Sequence, residues 1–118
     1  MPPVSTLQAL IGETLGQVCL DPFGVQFKFD LWCLNVQYEI EHTHPDGSSQ
    51  RYSCVATEGP PLLLHRLLQD SVSDVHREDL YFSFNFQSGA VLTIFTELSQ
   101  YECGQLCRLE QPLVMDVF

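Results

Sequence analysis

A chain of 118 residues has room for one domain and one core, and its 15 Asp and Glu against 5 Lys and Arg leave a formal net charge of -10. That balance excludes nucleic acid as a partner, because binding phosphates needs clustered cations that release counterions, and it points to a basic protein partner instead. A hydrophobic share of 45%, with eight Phe and four Tyr, excludes a disordered chain.

The opening, Met1-Pro2-Pro3-Val4-Ser5, puts no basic residue ahead of an apolar run, and no stretch approaches the roughly 18 apolar residues of a spanning helix. The expectation is a soluble, cytoplasmic protein that does not meet a membrane. Five cysteines, Cys19, Cys33, Cys54, Cys103 and Cys107, are an odd number set mostly among apolar residues, which fits reduced, structural thiols better than a disulfide framework.

In chain order, Ser5 with Gln8 three residues on, ahead of Leu10 and Ile11, predicts a short capped helix limited by Gly12 and Gly16. Val18 and Leu20, a turn at Asp21-Pro22-Phe23-Gly24, then Val25, Phe27 and Phe29 alternating with Gln26 and Lys28 predict a β-hairpin. A third strand follows, with Leu34, Val36, Tyr38 and Ile40 on one face and Asn35, Gln37, Glu39 and Glu41 on the other. The loop His42 to Ser49 turns at Pro45-Asp46-Gly47, and a fourth strand returns through Tyr52, Cys54 and Ala56.

Glu58-Gly59-Pro60-Pro61 interrupts the strands and predicts a helix over about 60–70, with Leu63, Leu64, Leu67 and Leu68 as its apolar stripe. After a short strand at Val72 to Val75, Leu80, Phe82, Phe84 and Phe86 alternate, Gln87-Ser88-Gly89 turns, and Val91 to Thr96 runs back. A final pair covers Gln105 to Leu109 and Leu113 to Val117.

Val18, Val25, Phe27 and Phe29 match Val75, Phe82, Phe84 and Phe86 at one constant offset, and Leu34 and Val36 match Leu92 and Ile94 one residue later. The expected fold is a single domain over 1–118, α+β but mostly β, with antiparallel sheet from a duplicated strand-hairpin unit (about 15–57 and 72–118) and one helix between the units packed on it. The units either bury their apolar faces against each other or run on as one continuous sheet.

The run from Leu10-Ile11-Gly12 through Val18 to Phe29, Leu63-Leu64-His65-Arg66-Leu67-Leu68, Leu80 to Ile94 with Ser88-Gly89, and Tyr101-Glu102 resembles small bacterial β-rich domains of unknown function, immunity proteins among them. The resemblance covers most of the chain and implies neither catalytic residues nor a cofactor. What it implies is an intracellular binding protein that neutralises a basic toxic enzyme.

The one metal constellation joins His42-x-His44 to Cys54, with Cys103 and Cys107 as further ligands, but it has no standard zinc spacing, and the expectation is no metal. No phosphate loop, nucleophile elbow or paired Cys-His motif is present, so no enzyme is expected. The charges instead mark a surface. Asp70, Asp74, Glu78 and Asp79 cluster after the predicted helix, Glu39, Glu41 and Asp46 flank the first long hairpin, and Tyr52, Tyr81 and Tyr101 are candidate aromatic anchors for a basic partner. The other readings are a module that pairs through its sheet edges or an apolar face as a homodimer and, least favoured, a small-ligand binder or enzyme with a cavity between the duplicated units.

Overall fold

The computed structural model describes residues 1–55, 58–97, 103–109 and 114–118. A short helix, α1 (Val4–Gln8), precedes five strands: β1 (Gln17–Asp21), β2 (Gly24–Lys28), β3 (Trp32–Val36), β4 (Glu39–Thr43) and β5 (Ser49–Ser53). Five more follow: β6 (Val72–Arg77), β7 (Tyr81–Phe86), β8 (Val91–Phe95), β9 (Gly104–Arg108) and β10 (Val114–Val117). The fold is mostly β, and all its strand pairs are antiparallel.

The strands form two five-stranded sheets, ordered β1-β2-β3-β9-β10 and β5-β4-β8-β7-β6. Each sheet is a three-strand meander from one half of the chain, completed by a hairpin from the other half. Phe27 on β2 and Phe84 on β7 occupy matching central positions, and both are fully buried. The apolar faces meet as a sandwich. Phe29 of the first sheet touches Phe84 of the second at 5.9 Å between ring centroids, and Phe118 meets Phe82 edge-on at 5.1 Å. Val25, Leu34, Val36 and Leu106 from one side and Ile40, Leu92 and Ile94 from the other pack around these rings in the core.

The single long third strand expected over Leu34 to Glu41 is in fact two strands in different sheets. Alternation runs unbroken across the junction, so the pattern alone does not show the break. The junction is crowded. The Gln37 amide bonds the Cys103 carbonyl at 2.7 Å, and a Cβ on Gly24 or Gly104 would overlap the carbonyl oxygens of Val36 and Asn35 respectively. Glycine is required at both neighbours because the chain leaves β3 between them.

Two helix expectations change. The leucine-rich segment forms one 3-10 turn, Leu64–Leu67, and not a helix over 60–70. Pro60 and Pro61 precede the turn in neither helix nor strand, and of the leucines in the segment only Leu64 and Leu67 are buried. At the other end, the helix begins after Pro3, with no side-chain cap from Ser5. Leu7 and Leu10 anchor it in the core, while the Arg77 side chain donates to the Pro2 carbonyl at 3.0 Å.

Candidate functional site

The alternation that fills the core also decides what faces outward. On the second sheet, β7 buries Phe82, Phe84 and Phe86 and turns Tyr81 and Asn85 out, while β8 buries Leu92 and Ile94 and turns out Val91, Thr93 and Phe95. On β4, Ile40 and His42 go in, and Glu39 and Glu41 go out. Register then assembles rows across the strands. Tyr81 lies opposite Phe95, which lies opposite Glu39, and Thr93 lies opposite Glu41, which lies opposite Arg51.

The aromatic rings form a half-buried strip. Tyr81 sits 6.2 Å from Phe95 and 6.1 Å from His76 between ring centroids. The Arg51 guanidinium lies 3.9 Å over the Phe95 ring and is held there by Glu39 at 2.6 Å. His76 pairs with Glu78 at 2.9 Å. Among the described residues, Glu39, Glu41, Asp74 and Glu78 surround this strip and Arg51 is the one arginine or lysine on it.

Three of the residues expected to bind a partner therefore share this face: Asp74 and Glu78 at the β6 edge, and Tyr81 beside them. Asp79 is exposed in the turn that follows. Asp70 is elsewhere, at the far end of β6, where its carboxylate accepts bonds from the Ser88 hydroxyl, the Ser88 amide and the Ser71 amide. It fastens the β7–β8 turn to the entry of β6. Tyr101 lies outside the described residues. Tyr52 is no surface anchor, being buried with its hydroxyl donating to the Pro61 carbonyl at 2.7 Å. Phe95 and Arg51 escaped the sequence reading. The available signal was a phenylalanine at the outward position of β8, directly after the inward Ile94.

The expected metal constellation comes apart. Cys54 lies beside Tyr38, its amide bonding the Tyr38 carbonyl at 2.7 Å, while His42 pairs with Gln50. Four residues of strand separate the two, about 13 Å at the usual rise. Burial, with some help from Glu39, pushes the Cys54 thiol up to about 12. Among the described residues, no three His, Cys, Asp or Glu side chains converge on a metal position.

What His42 and His44 do form is a polar end to the core. Their ring centroids stand 4.1 Å apart with the planes tilted by 40°, His44 Nε2 bonds Gln50 Oε1 at 2.5 Å, and both residues are almost wholly buried. They line a pocket of about 340 Å³ with Pro45, Asp46, Arg66, Ser88 and Ala90. His42 Nδ1 is buried there without a partner. Burial, then the neighbouring His44 and Arg66, lower its pKa to about 4. The expected turn at Pro45-Asp46-Gly47 is present, closed by Asp46 accepting from the Ser48 amide at 2.9 Å and hydroxyl at 2.6 Å, bonds that hold the Asp46 carboxyl below its usual range.

No helix among the described residues is long and apolar enough to cross a membrane. No protein family matches the chain, and no curated protein or solved structure is significantly similar to it.

Proposed function

We propose that this domain binds a basic protein through the outer face of its second sheet, in the manner of an intracellular inhibitor that covers a cationic surface on a toxic enzyme. The observation that carries this reading is the Tyr81–Phe95 strip framed by Glu39, Glu41, Asp74 and Glu78. Aromatic anchors supply much of an interface's energy, and the surrounding acids speed encounter with a positive partner and reject a negative one. Arg51 already displays the chemistry within the chain, a guanidinium stacked on Phe95 and paired with Glu39. Tyr81 offers a second ring of the same kind to an incoming arginine.

The test is affinity capture from a native cytosol at low and then high salt, with bound proteins identified by mass. A basic protein retained at low salt, released by high salt, and not retained by an Asp74→Lys/Glu78→Lys variant supports the reading. A partner that binds the variant as well as the native chain overturns it. Sedimentation at dilute concentration separates the homodimer alternative, for which the apolar edge at Leu20, Leu62 and Leu68, each at least 40% exposed, is the surface available.

A further inference from the structure

The outer face of the first sheet carries a row of sulfur atoms. Lys28 on β2 lies opposite Cys33 on β3, Cys33 opposite Cys107 on β9, and Cys107 opposite Met115 on β10. All four side chains point away from the core, since their neighbours Phe27, Leu34 and Leu106 point into it. Cys33 and Cys107 are each 9% exposed and Met115 is 48% exposed. Both cysteines are free thiols.

The spacing of the row follows from backbone bonds. Leu109 donates directly across to Leu31 at 2.8 Å, and Gln37 to Cys103 at 2.7 Å. Counting in twos from either end makes Cys33 and Cys107 a hydrogen-bonded pair, with Cα atoms about 5.5 Å apart and Cβ atoms near the wide end of the cross-strand range. A disulfide wants its Cβ atoms at about 3.5–4.5 Å, so oxidation would require the strands to close up. A metal ion does not need the strands to close up, because two thiolates bound at about 2.3 Å stand about 4 Å apart around it; Cys33 has only to give up the bond that its thiol donates to Asn35 Oδ1 at 3.8 Å. On the other side, Gly104 and Phe118 exchange both backbone bonds at 3.1 Å, which makes Cys107 and Met115 a non-hydrogen-bonded pair, the closer kind. Met115 thus stands directly beside Cys107 on the same face of the adjacent strand.

We propose that Cys33, Cys107 and Met115 form a binding site for a soft monovalent metal ion, copper(I). The donor set chooses the metal. Zinc takes four nitrogen, oxygen or thiolate ligands and does not recruit a thioether, whereas two thiolates and a thioether suit copper(I). On binding, each thiol gives its proton to solvent and its sulfur lone pair to the ion, so no redox step is involved. Lys28 stands beside Cys33 to offset the negative charge of the resulting bis-thiolate. Burial raises both thiols above their ordinary values.

The test titrates the reduced protein, without oxygen, against copper(I) held by the chromophoric chelator bicinchoninate. The expected result is a single copper(I) taken per chain, with a sulfur-only first shell at about 2.3 Å in X-ray absorption. The C33S/C107S variant should leave the ion with the chelator, while C19S/C54S/C103S should bind as the native chain does. M115L, at an exposed position that leaves the fold intact by far-ultraviolet circular dichroism, should weaken binding at least about tenfold, the loss seen even for outer partners of metal sites. Native-like binding by C33S/C107S, or an M115L affinity equal to the native one, overturns the site.

Discussion

The two sheets share a skeleton and differ in what their outer faces carry. Each is a meander closed by a hairpin from the other half, and each buries a phenylalanine-centred inner face. Outside, the first sheet offers Lys28, Cys33, Asn35, Cys107 and Met115, and the second offers Tyr81, Phe95 and a frame of carboxylates. Because strand side chains alternate, the inner set fixes the fold while the outer set is left free for other chemistry. Two copies of one skeleton thus carry a sulfur row on one side and an acidic aromatic strip on the other.

The largest expected effect concerns what the sheets have in common. If they form one core, Phe27→Ala and Phe84→Ala should each cost about 3–5 kcal/mol, and urea unfolding followed by Trp32 fluorescence should coincide with that followed by circular dichroism. A Phe84→Ala chain whose Trp32 signal keeps the native midpoint would show instead that the sheets melt separately.

Next comes a difference inside the core. His42 on β4 and Leu106 on β9 are both inward residues of the two swapped hairpins, and of this pair only the histidine titrates. Unfolded, His42 takes its proton below pH 6.5, and folded only below about pH 4, so the unfolded state binds more protons between these limits and stability falls as pH drops through them. The full loss is about 3 kcal/mol at the usual cost per pH unit. The groups facing His42 are His44, Asp46 and Arg66. Urea midpoints measured from pH 7 to 4 should fall, and His42→Leu should flatten the slope. An unchanged slope in that variant would place the acid sensitivity elsewhere.

The outer faces should matter far less to stability. Arg51→Ala removes an exposed ion pair and a ring contact, together about 0.5–1 kcal/mol, and should be smaller still in high salt. Smallest of all, Asp74→Lys and Glu78→Lys should move stability by less than about 0.5 kcal/mol while abolishing capture of a basic partner. A large loss of stability from either would mean that these acids serve the fold and not an interface.

Much of the fold was legible because period-two alternation is a direct imprint of a half-buried strand. The hairpin at Asp21 to Gly24, the Pro45-Asp46-Gly47 turn and the phenylalanines of β7 all stand where the pattern put them. The pattern could not show that Gln37-Tyr38 crosses between sheets, because alternation continues through the junction. The leucine segment misled for a different reason: Leu63, Leu64, Leu67 and Leu68 have helical spacing, but only two find core to cover. Of the candidate surface, Asp74, Glu78 and Tyr81 were visible as a local cluster. Phe95, Glu39 and Cys107 reach their neighbours only through pairing of distant strands, and register between distant strands is not written in local sequence.

The exchange of hairpins also sets the order of events on the ribosome. β3, complete at Val36, has no partner on its second edge until β9 ends at Arg108, and β4 waits for β8 in the same way. The first half therefore emerges with both of its central strands unpaired along one side, and they stay so until β8, ending at Phe95, and β9, ending at Arg108, have been made. Such an exposed edge invites pairing with another nascent chain, so successful synthesis depends on how quickly the second half arrives.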